Sequence, residues 1–244
     1  MSLDRIRDEH RLWLAGHGLL DRPWFVLGSA PNPTIPPGIA DRAALICINN
    51  VGVTTAKLGL PPADLTFRNL NKEWRTIAEC KLPLVLWISD RTPLQIFLKR
   101  LRIKAQLGEI RRMRPGHRDQ IYRHMLQAGG SEPNEIGKPS TGVFAVLYAL
   151  FVGVPEIVLG GLSMDKQGYS HAFESARMMH GQEDLSALAT IARHYSSVST
   201  TEPAVARAGL PVYSGLSNVK FTILPTEAKL SAAVRPKSPV RRNE

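Results

Sequence analysis

Trp24-Phe25-Val26-Leu27-Gly28-Ser29-Ala30-Pro31-Asn32-Pro33 is the stretch whose reading decides the fold. Four consecutive apolar residues without polar alternation suit a strand buried on both faces. The glycine, serine and prolines that follow turn the chain sharply out of it. The same pattern recurs. Ala44-Leu45-Ile46-Cys47-Ile48-Asn49 is a second apolar run ending in a polar residue. Leu65-Thr66-Phe67-Arg68-Asn69 is a third, Leu82 to Ile88, followed by Ser89-Asp90, a fourth, and Glu156 to Leu162 a fifth, with a short strand at Ser197 to Thr200.

Helical periods lie around and between these runs. Ile6, Leu12, Trp13 and Leu14 stand among charges in a short amphipathic helix ended before Pro23. Leu94, Phe97, Leu98 and Leu101 recur at helical spacing in a strongly basic stretch. Further helices are expected at Arg118 to Ala128, Thr141 to Val152, Asp184 to Tyr195 and Glu202 to Ala208. Strands alternating with helices mean an α/β fold: one Rossmann-like domain, with a mostly parallel sheet and helices on both faces. The expected organisation is an N-terminal helix over 1–22 and the Rossmann-like domain over 23–225. An irregular lid occupies about 163–181, and a basic, proline-containing tail occupies 226–244.

Composition narrows the function. The 244 residues are 43% hydrophobic, enough for a packed core, and carry a net charge of +10. That excess favours an anionic partner. It is concentrated: residues 91–123 hold ten Lys or Arg against Glu109 and Asp119. A cationic helix with an apolar stripe suits an anionic membrane surface rather than specific nucleic-acid bases. No apolar run reaches membrane-spanning length, and Met1 to His10 lacks the apolar core of a signal peptide, so a cytoplasmic location is expected. Cys47 and Cys80 show no CxxC spacing and are expected to be reduced thiols.

In parallel sheets ligands sit beyond the carboxyl ends of the strands. Here those ends carry Gly28, Ser29, Ala30, Pro31 and Asn32, then Asn49, Asn69, Ser89 and Asp90. The Gly28 loop has neither the GxGxxG fingerprint nor a GxxxxGK[ST] loop, but its backbone N–H groups could hold a phosphate or ribose. A single asparagine at a strand end commonly satisfies loop backbone. Two at successive ends favour a ligand. Lys138-Pro139-Ser140-Thr141-Gly142 opens an apolar helix. Ser140 or Thr141 is a natural N-cap, and that helix start with Lys138 is also an anion site. His171 and His180 stand in the irregular segment without metal-binding spacing. They read either as exposed loop histidines or, for His180, as a general base oriented by Glu183 or Asp184.

From here the sequence resembles the bacterial sialyltransferases of glycosyltransferase family 42, which use CMP-sialic acid. The resemblance runs through Ser140-Thr141-Gly142-Val143-Phe144, Gly153-Val154-Pro155-Glu156-Ile157-Val158-Leu159-Gly160-Gly161-Leu162, Gly168, Ala172-Phe173, His180 and Asp184-Leu185-Ser186-Ala187-Leu188. It extends more weakly to Gly28-Ser29-Ala30-Pro31, Asn49 and Asn69, covering roughly Val26 to Leu210 but little of the basic segment.

The resemblance implies inverting, metal-independent transfer of a sugar from a CMP donor to a glycan acceptor, without a cofactor. The accompanying expectations are a role in lipopolysaccharide or capsule synthesis, a peripheral place on the inner face of the bacterial inner membrane through residues 91–123, and a homo-oligomer. His180 matches the family's catalytic histidine, with one residue fewer before the following aspartate. Where the family has two lid tyrosines on the leaving phosphate, this chain has Asp165 and His171. A protonated His171 can donate to phosphate. Asp165 is repulsive there unless protonated or turned away, and Tyr169 or Lys166 could substitute. Two other readings stay open: phosphoryl or pyrophosphoryl transfer on a related fold, and an inactive homologue that binds a glycan or a membrane.

Overall fold

The computed structural model describes residues 1–69, 74–128, 137–163 and 181–216. Helix α1 (Leu3–Gly16) leads into strand β1 (Trp24–Leu27), a four-residue helix α2 (Ile39–Arg42) and β2 (Ala44–Ile48). Then come α3 (Val51–Lys57), β3 (Leu65–Asn69), a 3-10 turn (Arg75–Ile77), β4 (Lys81–Ile88), α4 (Pro93–Arg100), β5 (Gln106–Met113) and α5 (Pro115–Ala128). The described residues continue with α6 (Thr141–Val152), β6 (Ile157–Gly160), α7 (Gly181–His194), β7 (Val198–Thr200) and α8 (Pro203–Ala206).

Among the described residues the strands form one seven-stranded sheet in the order β5-β4-β3-β2-β1-β6-β7. Every pairing is parallel. Parallel strands need crossovers, and the helices supply them on both faces. Helices α1, α5, α6 and α7 pack together on one side. Val53 of α3, Ile77 of the 3-10 turn and Ile96 of α4 pack with Val85 and Trp87 on the other. Alternation along β3 and β4 serves both layers: Phe67, Leu84 and Leu86 join the main core, and Val85 and Trp87 the smaller one.

Helix α6 is apolar all round because it is buried all round, except at Leu150. Its Phe144 and Tyr148 close an aromatic cluster with Trp24 and Phe67, with ring centroids 5.3–6.5 Å apart. Phe144 touches Phe67 near the carboxyl end of β3, and Tyr148 touches Trp24 at the start of β1. The amino end of α6 is therefore at the carboxyl edge of the sheet.

Three expectations change. The basic segment is not helical throughout: β5 lies between α4 and α5 as the sheet's edge strand, where charged residues are tolerated because one side meets solvent. The short helices α2 and α3 were not foreseen. In α1 the inward stripe is Ile6, His10, Trp13 and Leu14, whereas Leu12 is 78% exposed. Positions 6, 10, 13 and 14 share one helical face, and residue 12 lies off it.

His10 thus occupies a core position. Its Nδ1 is hydrogen-bonded to Tyr148 Oη at 2.7 Å. Burial, aided by Arg111, pulls its pKa from 6.5 down to about 4. Burial pushes the Tyr148 phenol upward. Between these two pH values the unfolded chain binds a proton at His10 and the folded one does not, so stability must fall as pH falls. The loss expected from His10 between pH 6.5 and about 4 is about 3 kcal/mol. Urea titrations at pH 7, 5.5 and 4 should show a decline of this size that is absent in His10→Gln. Parallel pH profiles for the two proteins would contradict it.

Candidate functional site at the carboxyl edge of the sheet

The sheet order reverses direction between β1 and β6. The chain leaves β1 toward β2 and leaves β6 toward β7, which opens a crevice between their carboxyl ends. Gly28 and Gly161 lie back to back there. Gly28 N donates to Gly160 O at 2.8 Å, and Ala30 N donates to Gly161 O at 2.7 Å. Gly161 has φ +62°, and a Cβ on it would sit 2.6 Å from Gly28 O. A Cβ on Gly28 would meet the Gly161 carbonyl oxygen inside contact distance and its carbon at 3.0 Å. Only glycine allows this approach from both sides. Beyond it Ser29, Ala30 and Pro31 are half-buried, and Asn32 is exposed in a left-handed conformation with φ 51°.

Glu202 holds this loop pair and was not singled out in the sequence. It is buried just past β7, and its Oε1 accepts from Gly161 N at 2.9 Å and from Thr34 N at 2.8 Å. One carboxylate oxygen thus ties the loop after β1 to the loop after β6. Thr201 Oγ1 adds a bond to Thr34 O at 2.8 Å.

At the end of β2, Asn49 turns the chain with φ 55°. Its Oδ1 accepts from Asn69 N at 3.0 Å. The two strand-end asparagines are therefore brought together, and the Asn49 side chain carries the local-backbone role. Below them Arg68 is fully buried in β3, with Nη1 donating to Asn49 O and to Asn50 Oδ1, both at 2.8 Å. Its guanidinium stacks over Trp74 at 4.4 Å, and burial pulls its pKa down to about 10. A cation in an apolar strand run was the available signal.

The third wall is the start of α6. Ser140 is the N-cap, its Oγ accepting from Val143 N at 3.4 Å. Ser140 N donates to buried Asp184 Oδ1 at 2.6 Å, which ties the first turn of α7 to this loop. Thr141 and Gly142 are buried, and a Cβ on Gly142 would meet Leu162 Cδ1 at 3.3 Å, so this helix start adjoins the loop after β6. Lys138 is exposed and paired with Asp119 at 2.9 Å. The inward cation is instead Arg118. Its Nη2 donates to Pro139 O at 2.6 Å, and its guanidinium lies over Phe144 at 5.2 Å. Burial draws its pKa down, and Asp119, Tyr122 and Asp184 oppose that shift.

His180, His171, Asp165, Tyr169 and Lys166 lie outside the described residues, as does the tail. A separate shallow cleft of about 370 Å³, lined by residues including His17, Asp64, Pro83 and Glu109, lies toward the amino ends of β3 and β4. It is at the opposite edge of the sheet from the Gly28–Gly161 crevice.

No family model matches the chain, and no curated protein does. Solved structures do. Sialyltransferase CstII from Campylobacter jejuni in complex with cytidine-5'-monophosphate matches with a TM-score of 0.50 and 13% identity, covering 87% of this chain and 97% of that one. The monofunctional alpha-2,3-sialyltransferase Cst-I from Campylobacter jejuni gives 0.50 and 13%, covering 87% and 93%. A CST-II variant in complex with CMP gives 0.51 and 12%, covering 87% and 98%. At this identity the likeness is one of fold: the single-domain parallel α/β architecture of this chain is similar to that of these sialyltransferases.

Proposed function

We propose that this chain is a sialyltransferase-like glycosyltransferase that binds a CMP-activated sugar in the crevice between the loops after β1 and β6. The observation that carries the reading is the convergence of three features at one edge. These are the Gly28–Gly161 approach, the paired strand ends Asn49 and Asn69, and the amino end of α6. The N–H groups of Gly28, Ala30, Thr34 and Gly161 are engaged within the loop pair, so the helix start is the part that suits a phosphate, and a net charge of +10 suits an anionic donor. Base or ribose contacts from Asn49 would come from its Nδ2, because Oδ1 is engaged.

In the reaction, a hydroxyl of the glycan acceptor attacks the anomeric carbon. The bond from that carbon to the CMP phosphate oxygen breaks, and inversion follows from single displacement. His180 takes the hydroxyl proton, and a protonated His171 offsets charge on the departing phosphate. Within the described residues Asp184 and Arg118 hold the loop that presents Ser140, Thr141 and Gly142.

A thermal-shift panel with CMP, CDP, UDP and ADP tests the donor class. A ligand that binds only the native state raises the melting temperature. At about one hundred times its Kd, CMP should add about 2.7 kcal/mol and raise the midpoint by roughly 5–10 °C. An equal or larger response to ADP or UDP, with none to CMP, would contradict the reading.

A further inference from the structure

Helix α4 is apolar on two opposite sides. Its inner side sets Ile96 into the core beside Val85 and Trp87. Its outer side carries Leu94, Phe97 and Leu98, with Leu101 one turn on, and these are 66%, 57%, 50% and 68% exposed. The spacing i, i+3, i+4, i+7 places them on one stripe. The helix is well specified: Thr92 and Gln95 form a reciprocal capping box, and Pro93 opens the first turn. A rigid, contiguous apolar ridge left in water marks an interaction surface.

The surroundings of the ridge are basic. Residues 90–104 hold Arg91, Lys99, Arg100, Arg102 and Lys104 against Asp90 alone. Lys99, Arg100, Arg102 and Lys104 are all exposed.

We propose that α4 docks the molecule on the surface of an anionic lipid bilayer, with Leu94, Phe97, Leu98 and Leu101 at the acyl boundary and the cations among headgroups. Charge selects this occupant. A symmetric contact with a second copy would set these cations against themselves. The chain's own tail carries Lys229, Arg235, Lys237, Arg241 and Arg242 against Glu227 and Glu244, so it is repelled as well. A nucleic acid would neutralise the cations but leave the leucines and Phe97 in water. Anionic headgroups over acyl chains satisfy both parts. Among the described residues no helix is long and apolar enough to cross a membrane, so the contact is with the surface. Helix α4 follows the carboxyl end of β4, the edge on which the crevice opens, so docking carries that crevice beside the bilayer. The inference does not depend on the transferase reading.

The test is co-sedimentation of the full chain with vesicles of equal parts phosphatidylcholine and phosphatidylglycerol, and with phosphatidylcholine alone, at low and high salt. The mixed vesicles should carry the chain down, phosphatidylcholine alone should not, and salt should weaken binding. The double variant Phe97→Ser, Leu98→Ser should bind about tenfold more weakly or worse. Its melting temperature should stay close to the parent's, because both side chains stand in solvent. Lys99→Glu with Arg102→Glu should remove the salt-sensitive part. Equal binding to both vesicle types, unchanged binding of the Phe97/Leu98 variant, or a solution dimer that this variant converts to monomer would each overturn the proposal.

Discussion

Gly28→Ala should destabilise the chain by about 2–3 kcal/mol and remove its response to CMP. The reason is local. The added methyl would fall within contact distance of the Gly161 carbonyl oxygen, a backbone atom that no side-chain rotation can clear. The loops after β1 and β6 must then part. Their hydrogen bonds, Gly28 N to Gly160 O and Ala30 N to Gly161 O, lengthen, and the hold of Glu202 on Gly161 and Thr34 is disturbed. For a chain of this size the midpoint should drop by roughly 5–10 °C. Gly16→Ala is the control, because nothing lies within 4 Å of a Cβ there. It should melt at or slightly above the parent temperature. A Gly28→Ala protein as stable as Gly16→Ala, with its CMP response intact, would mean that the close approach does not build the crevice.

The second large effect concerns chemistry. His180→Ala should lower transfer from a CMP-sugar by about 10²–10⁴-fold, the usual worth of a general base, while CMP affinity stays unchanged. A neutral His180 accepting the proton and a protonated His171 beside the phosphate need opposite states, so kcat should be bell-shaped in pH. His171→Ala should flatten the alkaline limb, where loss of the His171 proton limits the parent. The readouts are CMP release with acceptor present and CMP affinity, measured on each variant. Full turnover by His180→Ala would remove this mechanism and leave the fold and the nucleotide site standing.

The parts of the fold that could be read from sequence are those whose physics is local. β1, β2, β3, β4 and β6 are fully or almost fully buried, so each is an apolar run, and each run ends where the chain turns into the polar carboxyl edge. β5 escaped because it is an edge strand. Gln106-Leu107-Gly108-Glu109-Ile110-Arg111-Arg112-Met113 needs no continuous apolar run, and its arginines merge with the basic stretch around it. α3 escaped because seven residues show too little period.

The site divides in the same way. Gly28, Asn49, Asn69, Ser140 and Thr141 were visible as polar or glycine positions closing apolar runs. The partners that fix them were not. Glu202 reaches Thr34 across 168 residues, and Asp184 reaches Ser140 across 44. Arg118 is one of ten cations in 91–123, and only packing against Phe144 and Pro139 selects it. Lys138, closer in sequence to the helix start, pairs outward with Asp119 instead.

The most direct test of the nucleotide site is a crystal structure of the full chain grown with CMP. The account predicts density for the nucleotide at the carboxyl edge, between the Gly28–Asn32 loop and the Ser140–Gly142 helix start, with Asn49 or Asn69 within hydrogen-bonding distance of its base or ribose. A crevice empty at saturating CMP, or CMP seated in the opposite cleft beside His17, Asp64 and Glu109, would contradict it.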